Sequence, residues 1–449
     1  MSNERAVFGS KIGIILATAG SAVGLGNIWR FPYMAGENGG AAFIVIYICC
    51  VALLGIPSML CEFIVGRHGR ANATRAYGVK WPWKGVGCLC VFTGFTIMGF
   101  YSVVAGWTLQ YVFASVAGHL HGDAAYFKQY FEDFSTHPLR PVLWSAAFML
   151  ITHWVVSRGV QKGIERVGKV MMSVLFVLLL VLVVCSLSLP GAMRGVEFLF
   201  KPDFSKVTAS TVFEALGQTF FSLSIGTAVL CTYASYFGRE VNLSRSAVQI
   251  VAIDTMVAIL AGLMIFPAAF SVGIAPDSGP SLIFITLPNV FEQAFAGMPM
   301  VGYVISIMFF TLIAIAALTS IISMHEVPTA FVSEEFHMSR NSAAAIVTIV
   351  GIIVGALCSL SMGPWEWLRV SGMNLFDFLD FLTADVLLVT GGFLTCIYVG
   401  WKMPTRVAYA QITNWGSLRI TFYHVFIVAA RYVCPICIAL IFLYQFGFL

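Results

Sequence analysis

Eleven apolar segments, separated by polar or breaker-rich gaps, restrict this 449-residue chain to one solvent. They run over about 11–36, 41–66, 86–117, 140–157, 166–188, 213–237, 243–273, 299–333, 341–361, 375–400 and 420–446. A helix that crosses the hydrocarbon core of a bilayer needs about 20 apolar residues, and these segments are close to that length or above it. Only 10% of the residues are charged, against roughly 25% in a soluble domain, and mean hydropathy is +0.89. The sequence therefore reads as an all-α integral membrane protein whose first partner is the lipid bilayer. Lys and Arg outnumber Asp and Glu by only 25 to 21 and are dispersed among loops, which excludes nucleic acid as a partner.

The eleven cysteines fall within or at the ends of apolar stretches and read as small lipophilic side chains. Cys434 and Cys437 have a metal-pair spacing, but no second pair completes a site. The N-terminus, MSNERAVFGSK, passes straight into the first span with no small-residue cleavage site, so no removable leader is expected.

Loop charge orients the spans. Arg67, Arg70, Arg75, Lys80 and Lys84 follow span two; Arg158, Lys162, Arg166 and Lys169 follow span four; Lys402, Arg406 and Arg419 follow span ten. All fall on one side, which the positive-inside rule makes cytoplasmic together with the N-terminus. Eleven spans then leave the C-terminus outside, in a bacterial-type inner membrane. The run SLIFITLPNVFEQAF, bounded by Pro276, Pro280 and Pro299, is too short to cross and reads as a short helix pair folded over the outer mouth.

Two spans carry polar, glycine-bearing centres. Span one holds Gly20, Gly24, Gly26 and Asn27, with Arg30 a turn later. Gly20 and Gly24 alone would read as a helix-packing pair, but Asn27 and Arg30 at membrane depth argue for a broken helix. Span six holds Ser222, Ser224, Gly226 and Thr227 between good helical halves. The two spans stand five apart, and five is odd, so the second set enters the membrane in the opposite sense: an inverted 5+5 repeat. The reading is one transporter domain, 1–449, with repeats of about 11–188 and 213–400 and an extra span at 420–446. Unwound backbone at mid-membrane is tolerated only where it lines a cavity; half-helix N-termini there attract an anionic group, and freed carbonyls attract a hard cation. On these grounds alone a channel or another inverted-repeat carrier remains open. An enzyme is disfavoured, because the eight histidines are scattered and neither HExxH nor GxSxG occurs.

The runs GSAVGLGNIWRFP (Gly20 to Pro32), GENGGAAF and GIP closely resemble the first two spans of the neurotransmitter:sodium symporter family. The resemblance continues through GQTFFSLSIG in span six, ALTSIIS in span eight and the charged start of span ten. It is strongest toward the bacterial amino-acid transporters with eleven spans, and it implies sodium-coupled symport by alternating access with two Na⁺ sites. One site would use Ala22, Asn27, Ser222 and Asp254; the other Gly20, Val23, Ala316, Thr319 and Ser320. Asp254 departs from the Asn found in the family, and a carboxylate there would replace the chloride that other members hold at positions matching Tyr47, Gln218 and Ser222. Chloride independence is the expectation.

Monoamine carriers of the family have an Asp where this chain has Gly24, so the resemblance implies a substrate that brings its own carboxylate: an L-amino acid. Its carboxylate would meet the amides around Leu25 and Gly26, the Tyr101 hydroxyl and a sodium ion. Its ammonium would meet carbonyls around Ala22, Phe221 and Ser224. Ile97, Val104, Phe221, Thr227, Ser320, Ile321 and Met324 would surround its side chain. None is charged, so a charged side chain would be buried without a counter-ion at a cost of several kcal/mol; a neutral, hydrophobic or aromatic one fits better. The implied outer gate is Arg30 with Asp380, closing above Phe221 and Tyr101; the inner gate is Arg5 with Glu334, helped by Tyr236. Glu62 and Glu326 are intramembrane acids that need partners the sequence does not name.

Overall fold

The computed structural model describes residues 6–274, 282–419 and 422–448. Among the described residues, eight helices are long and apolar enough to cross a membrane: Ala41–Gly69, Trp83–Val116, Val160–Leu187, Leu243–Ser271, Pro299–Glu335, Arg340–Ser361, Leu375–Lys402 and Tyr423–Gln445, which are spans two, three, five and seven to eleven. Span four is Arg140–Ser157, set at 74° to the preceding helix Ala124–Ser135. Spans one and six are each made of two pieces. The architecture is the all-α, 5+5 inverted-repeat transporter fold with discontinuous spans one and six, plus an eleventh span.

Local chemistry accounts for both breaks. Span one starts at Ser10, whose side chain caps the Gly13 amide, and its first half, Lys11–Ala22, stops where Val23 turns to an extended conformation. The second half begins with a π turn, Gly26–Arg30, continues as Phe31–Glu37 with Pro32 at its start, and is bent by 56° from the first. Pro32 lies just past the π turn and has no N–H to donate back to it, so one carbonyl of that turn is left without its helical donor. Span six starts with a reciprocal Thr208–Thr211 capping box and runs as Ala209–Ser222. Its second half is Val229–Ala234. Between them Ser224, Gly226 and Ala228 all have positive φ (53°, 90° and 61°), which a helix cannot accommodate.

The broken spans lie at the centre. The first half of span one packs against spans five, seven and eight, and the second half of span six against span two. Apolar side chains face outward as well as inward, as in Val177 and Val184 of span five and Ile349 and Ile353 of span nine, which are exposed; lipid is the solvent on that side. Arg67 is not the solvated loop charge the sequence suggested. It is buried, donates to the Val241 carbonyl at 2.6 Å and to the Gln411 side chain and carbonyl, and so ties span two to helix Thr405–Ile412. In the described part of the segment after span seven, a π turn, Leu282–Thr286, runs directly into helix Leu287–Ala294; the rest of the expected helix pair, with Pro276 and Pro280, lies outside the described residues.

Candidate functional site

The two breaks face each other across a cavity lined by Ser21, Ala22, Gly24, Leu25 and Gly26 of span one, Ile97, Phe100 and Tyr101 of span three, Phe221, Ser222, Ser224 and Thr227 of span six, Ser320 and Met324 of span eight, and Leu388 of span ten. Ser21, Phe100 and Leu388 were missing from the sequence reading. Two residues in that reading do not line the cavity, although both are buried. Ile321 is one position beyond Ser320, about 100° round a helix of 3.6 residues per turn, whereas Met324 at the fourth position shares the Ser320 face. Val104 is a turn past Tyr101, beyond the end of the cavity.

No lining residue carries a charge. A Cβ on Gly24 would come within 2.4 Å of the Ser320 hydroxyl and 3.4 Å of the Tyr101 hydroxyl, so the glycine keeps open a place bordered by two hydroxyl groups. The Leu25 amide points toward the same Tyr101 oxygen at 3.4 Å. Gly226 is held more strictly: its φ is positive and a Cβ would strike the backbone carbonyl of Leu388.

Beside the cavity, Asp254 is fully buried. Its Oδ1 accepts from the Asn27 amide at 2.8 Å, and its Oδ2 accepts from the Ser222 hydroxyl at 2.8 Å and the Tyr47 hydroxyl at 3.4 Å. The Asn27 Oδ1 accepts in turn from the Gly24 amide at 3.0 Å. Gln218 donates to the Gly26 carbonyl at 3.3 Å, and its own oxygen is buried with no hydrogen-bond partner. Asn27, Ser222 and Asp254 thus meet at one spot, and Ala22 lines the adjoining cavity together with Ser222. On the opposite side of the span-one break, the Thr319 hydroxyl lies 2.9 Å from the Ala316 carbonyl and 3.4 Å from the Val23 carbonyl, to which Ser320 also donates at 3.3 Å. A Cβ on Gly20 would touch Thr319. These donors are neutral oxygens, which suit a hard monovalent cation rather than a transition metal.

Above the cavity, Arg30 and Asp380 form no ion pair within 4.0 Å. The Arg30 guanidinium instead lies 4.3 Å from the centre of the Phe221 ring, an attraction of cation and ring face. At the other end of the helices, Arg5 lies outside the described residues. Glu334 accepts from the backbone and side-chain amides of Asn72 at 2.7 and 3.1 Å, while its neighbour Glu335 pairs with Arg75. The Tyr236 hydroxyl donates to Glu326 at 2.6 Å, and the Arg340 guanidinium takes both oxygens of that carboxylate. Glu62 accepts from the amides of Gly226 and Cys231. These are the partners of the two intramembrane acids. The signal for them was the acids themselves, since a carboxylate in an apolar span demands a donor.

The sequence model of the Sodium:neurotransmitter symporter family matches residues 5–140 and 123–447. The sodium-dependent transporter YhdH of Bacillus subtilis is 39% identical over 455 residues, covering 100% of both chains. A sodium-dependent transporter of Haemophilus influenzae is 33% identical over 98% of each. Among solved structures, the crystal structure of MhsT in complex with L-phenylalanine matches with a TM-score of 0.88 at 40% identity, over 98% of this chain and 99% of that one. With paired helix breaks around an uncharged cavity and such matches along its whole length, the chain belongs to the sodium:neurotransmitter symporter family and is a sodium-dependent transporter.

Proposed function

We propose that the protein imports a neutral, hydrophobic or aromatic L-amino acid together with two sodium ions by alternating access. The observation that carries this reading is the uncharged cavity around Gly24, where a missing side chain leaves space beside the Tyr101 and Ser320 hydroxyls and the Leu25 and Gly26 backbone. A substrate carboxylate fits that space, with its charge met by sodium at the Asp254 group. The residual lining, Ile97, Phe100, Phe221, Met324 and Leu388, is apolar and suits a bulky side chain. The likeness to a protein solved with L-phenylalanine supports the same class.

Chloride independence is part of the proposal. Two donors that would hold an external anion, Tyr47 and Ser222, are directed at the Asp254 carboxylate. Arg30 with Asp380 serves as the outer gate, and Glu334 with Tyr236 and Arg5 as the inner one, in a bacterial inner membrane with the N-terminus in the cytoplasm and a single transporter domain over 1–449. With a potential of about 100 mV and a tenfold sodium gradient, two ions supply ~7.4 kcal/mol, an upper limit of about 10⁵ in substrate ratio. The test is thermal stabilisation of the purified protein by each of the twenty amino acids with and without sodium. Sodium-dependent stabilisation by Phe, Trp, Leu or Ile is expected; stabilisation by charged amino acids alone would overturn the reading.

A further inference from the structure

The outer half of span ten carries a second carboxylate that the gate described above does not use. Helix Leu375–Phe381 runs into a π turn, Leu382–Leu387. In an α-helix, residues five apart lie on different faces, but a turn closed by i to i+5 hydrogen bonds brings such residues nearly one above the other. The widened turn therefore carries Asp385 back toward the face of Asp380, about one turn deeper, with Leu388 of the cavity lining next below. Both carboxylates lie within electrostatic reach of Arg30, which has no ion pair within 4.0 Å among the described residues and rests over Phe221.

Asp385 is also held in place. The Gln445 side-chain amide, on the last turn of span eleven, donates to its Oδ1 at 2.9 Å. The other end of the same amide, the Gln445 Oε1, is buried with no hydrogen-bond partner. A buried unsatisfied oxygen is a cost, and here it accompanies an orientation that serves Asp385 alone. Span eleven is fixed against the outer half of span six by the stacked rings of Phe213 and Tyr444, 4.6 Å apart.

We propose that Asp385 is a second counter-ion of the outer gate, positioned by Gln445, so that the guanidinium of Arg30 is shared by Asp380 at the rim and Asp385 below it when the gate closes. The eleventh span thereby sets how firmly the outside shuts. The inference rests on the reading of Arg30 as the gating cation, and the experiment separates the two.

Gly217 lies one turn above Phe221 on span six, and a Cβ there meets nothing within 4 Å, so Gly217→Cys gives a reporter for a membrane-impermeant thiol reagent. In saturating sodium, Asp385→Asn should raise the labelling rate about fivefold, the population change that ~1 kcal/mol makes in a balanced equilibrium. Gln445→Leu should raise it in the same direction by less, and it carries the test if Asp385→Asn does not fold. In an Arg30→Gln background neither substitution should add anything. Unchanged labelling in both variants, or the same increase with and without Arg30, overturns the inference. If Arg30→Gln itself labels like the natural sequence, the gating role of Arg30 fails and this inference with it.

Discussion

Glu62 in span two holds the backbone amide of Gly226 at 2.6 Å, 164 residues away, and that of Cys231 at 3.3 Å. The break in span six frees the buried amide of Gly226 and those of the first turn of Val229–Ala234, and one carboxylate takes two of them. Each buried donor left without an acceptor costs about 1–3 kcal/mol. Glu62→Ala should therefore lower the thermal unfolding midpoint of the purified protein sharply, while Glu62→Gln, which keeps an acceptor oxygen, should lose clearly less. Equal loss in the two variants would mean that the side chain acts by filling space.

The breaks in spans one and six were legible in the sequence because Asn27, Arg30 and the serine–glycine run stand out against apolar text, and an apolar helix has no use for them. What fills those breaks was not legible. The partners of Glu62 are backbone amides, which every residue possesses, and the partner of Glu326 is Arg340, which reads as an ordinary cation at a span end. Val104 and Ile321 fall outside the cavity lining because a cavity ends at a particular turn and helical phase, and neighbours in sequence need not share a face. Arg30 over Phe221, rather than against Asp380, reflects the reach of a long flexible side chain, which no spacing rule specifies.

At the proposed sodium site, Asp254 takes the donors Ser222 and Tyr47, so the natural protein should transport equally well when chloride is replaced by gluconate. Asp254→Asn removes the fixed charge and should make uptake weaker, or restore it only with added chloride. Loss of natural-sequence uptake in gluconate would refute the assignment of the charge to Asp254.

Substituting Gly24 tests where the substrate sits. Gly24→Asp would push a carboxylate toward the Ser320 and Tyr101 hydroxyls, into the space assigned to the substrate's own carboxylate, and two such groups repel in a dry cavity. Amino-acid binding, measured by equilibrium binding in sodium, should fall below detection. Retained affinity would place the substrate elsewhere.

The buried pair at the inner end makes the remaining prediction. Glu326 is fully buried, with Arg340 on both oxygens and Tyr236 on one. Removing one partner of such a pair strands the other charge, typically at about 3–5 kcal/mol, whereas removing both is far milder. Arg340→Ala should therefore destabilise the protein strongly, and Glu326→Gln combined with Arg340→Gln should recover most of the loss in thermal unfolding. Because the pair joins spans eight and nine and Tyr236 adds span six, the doubly neutral variant should also close the inner side less firmly. A thiol-reactive probe at an engineered cysteine in the inner pathway should label it faster than the natural sequence. A doubly neutral variant that is as unstable as Arg340→Ala would show that Arg340 stabilises through its packing and its bond to the Val156 carbonyl, with the charge pair secondary.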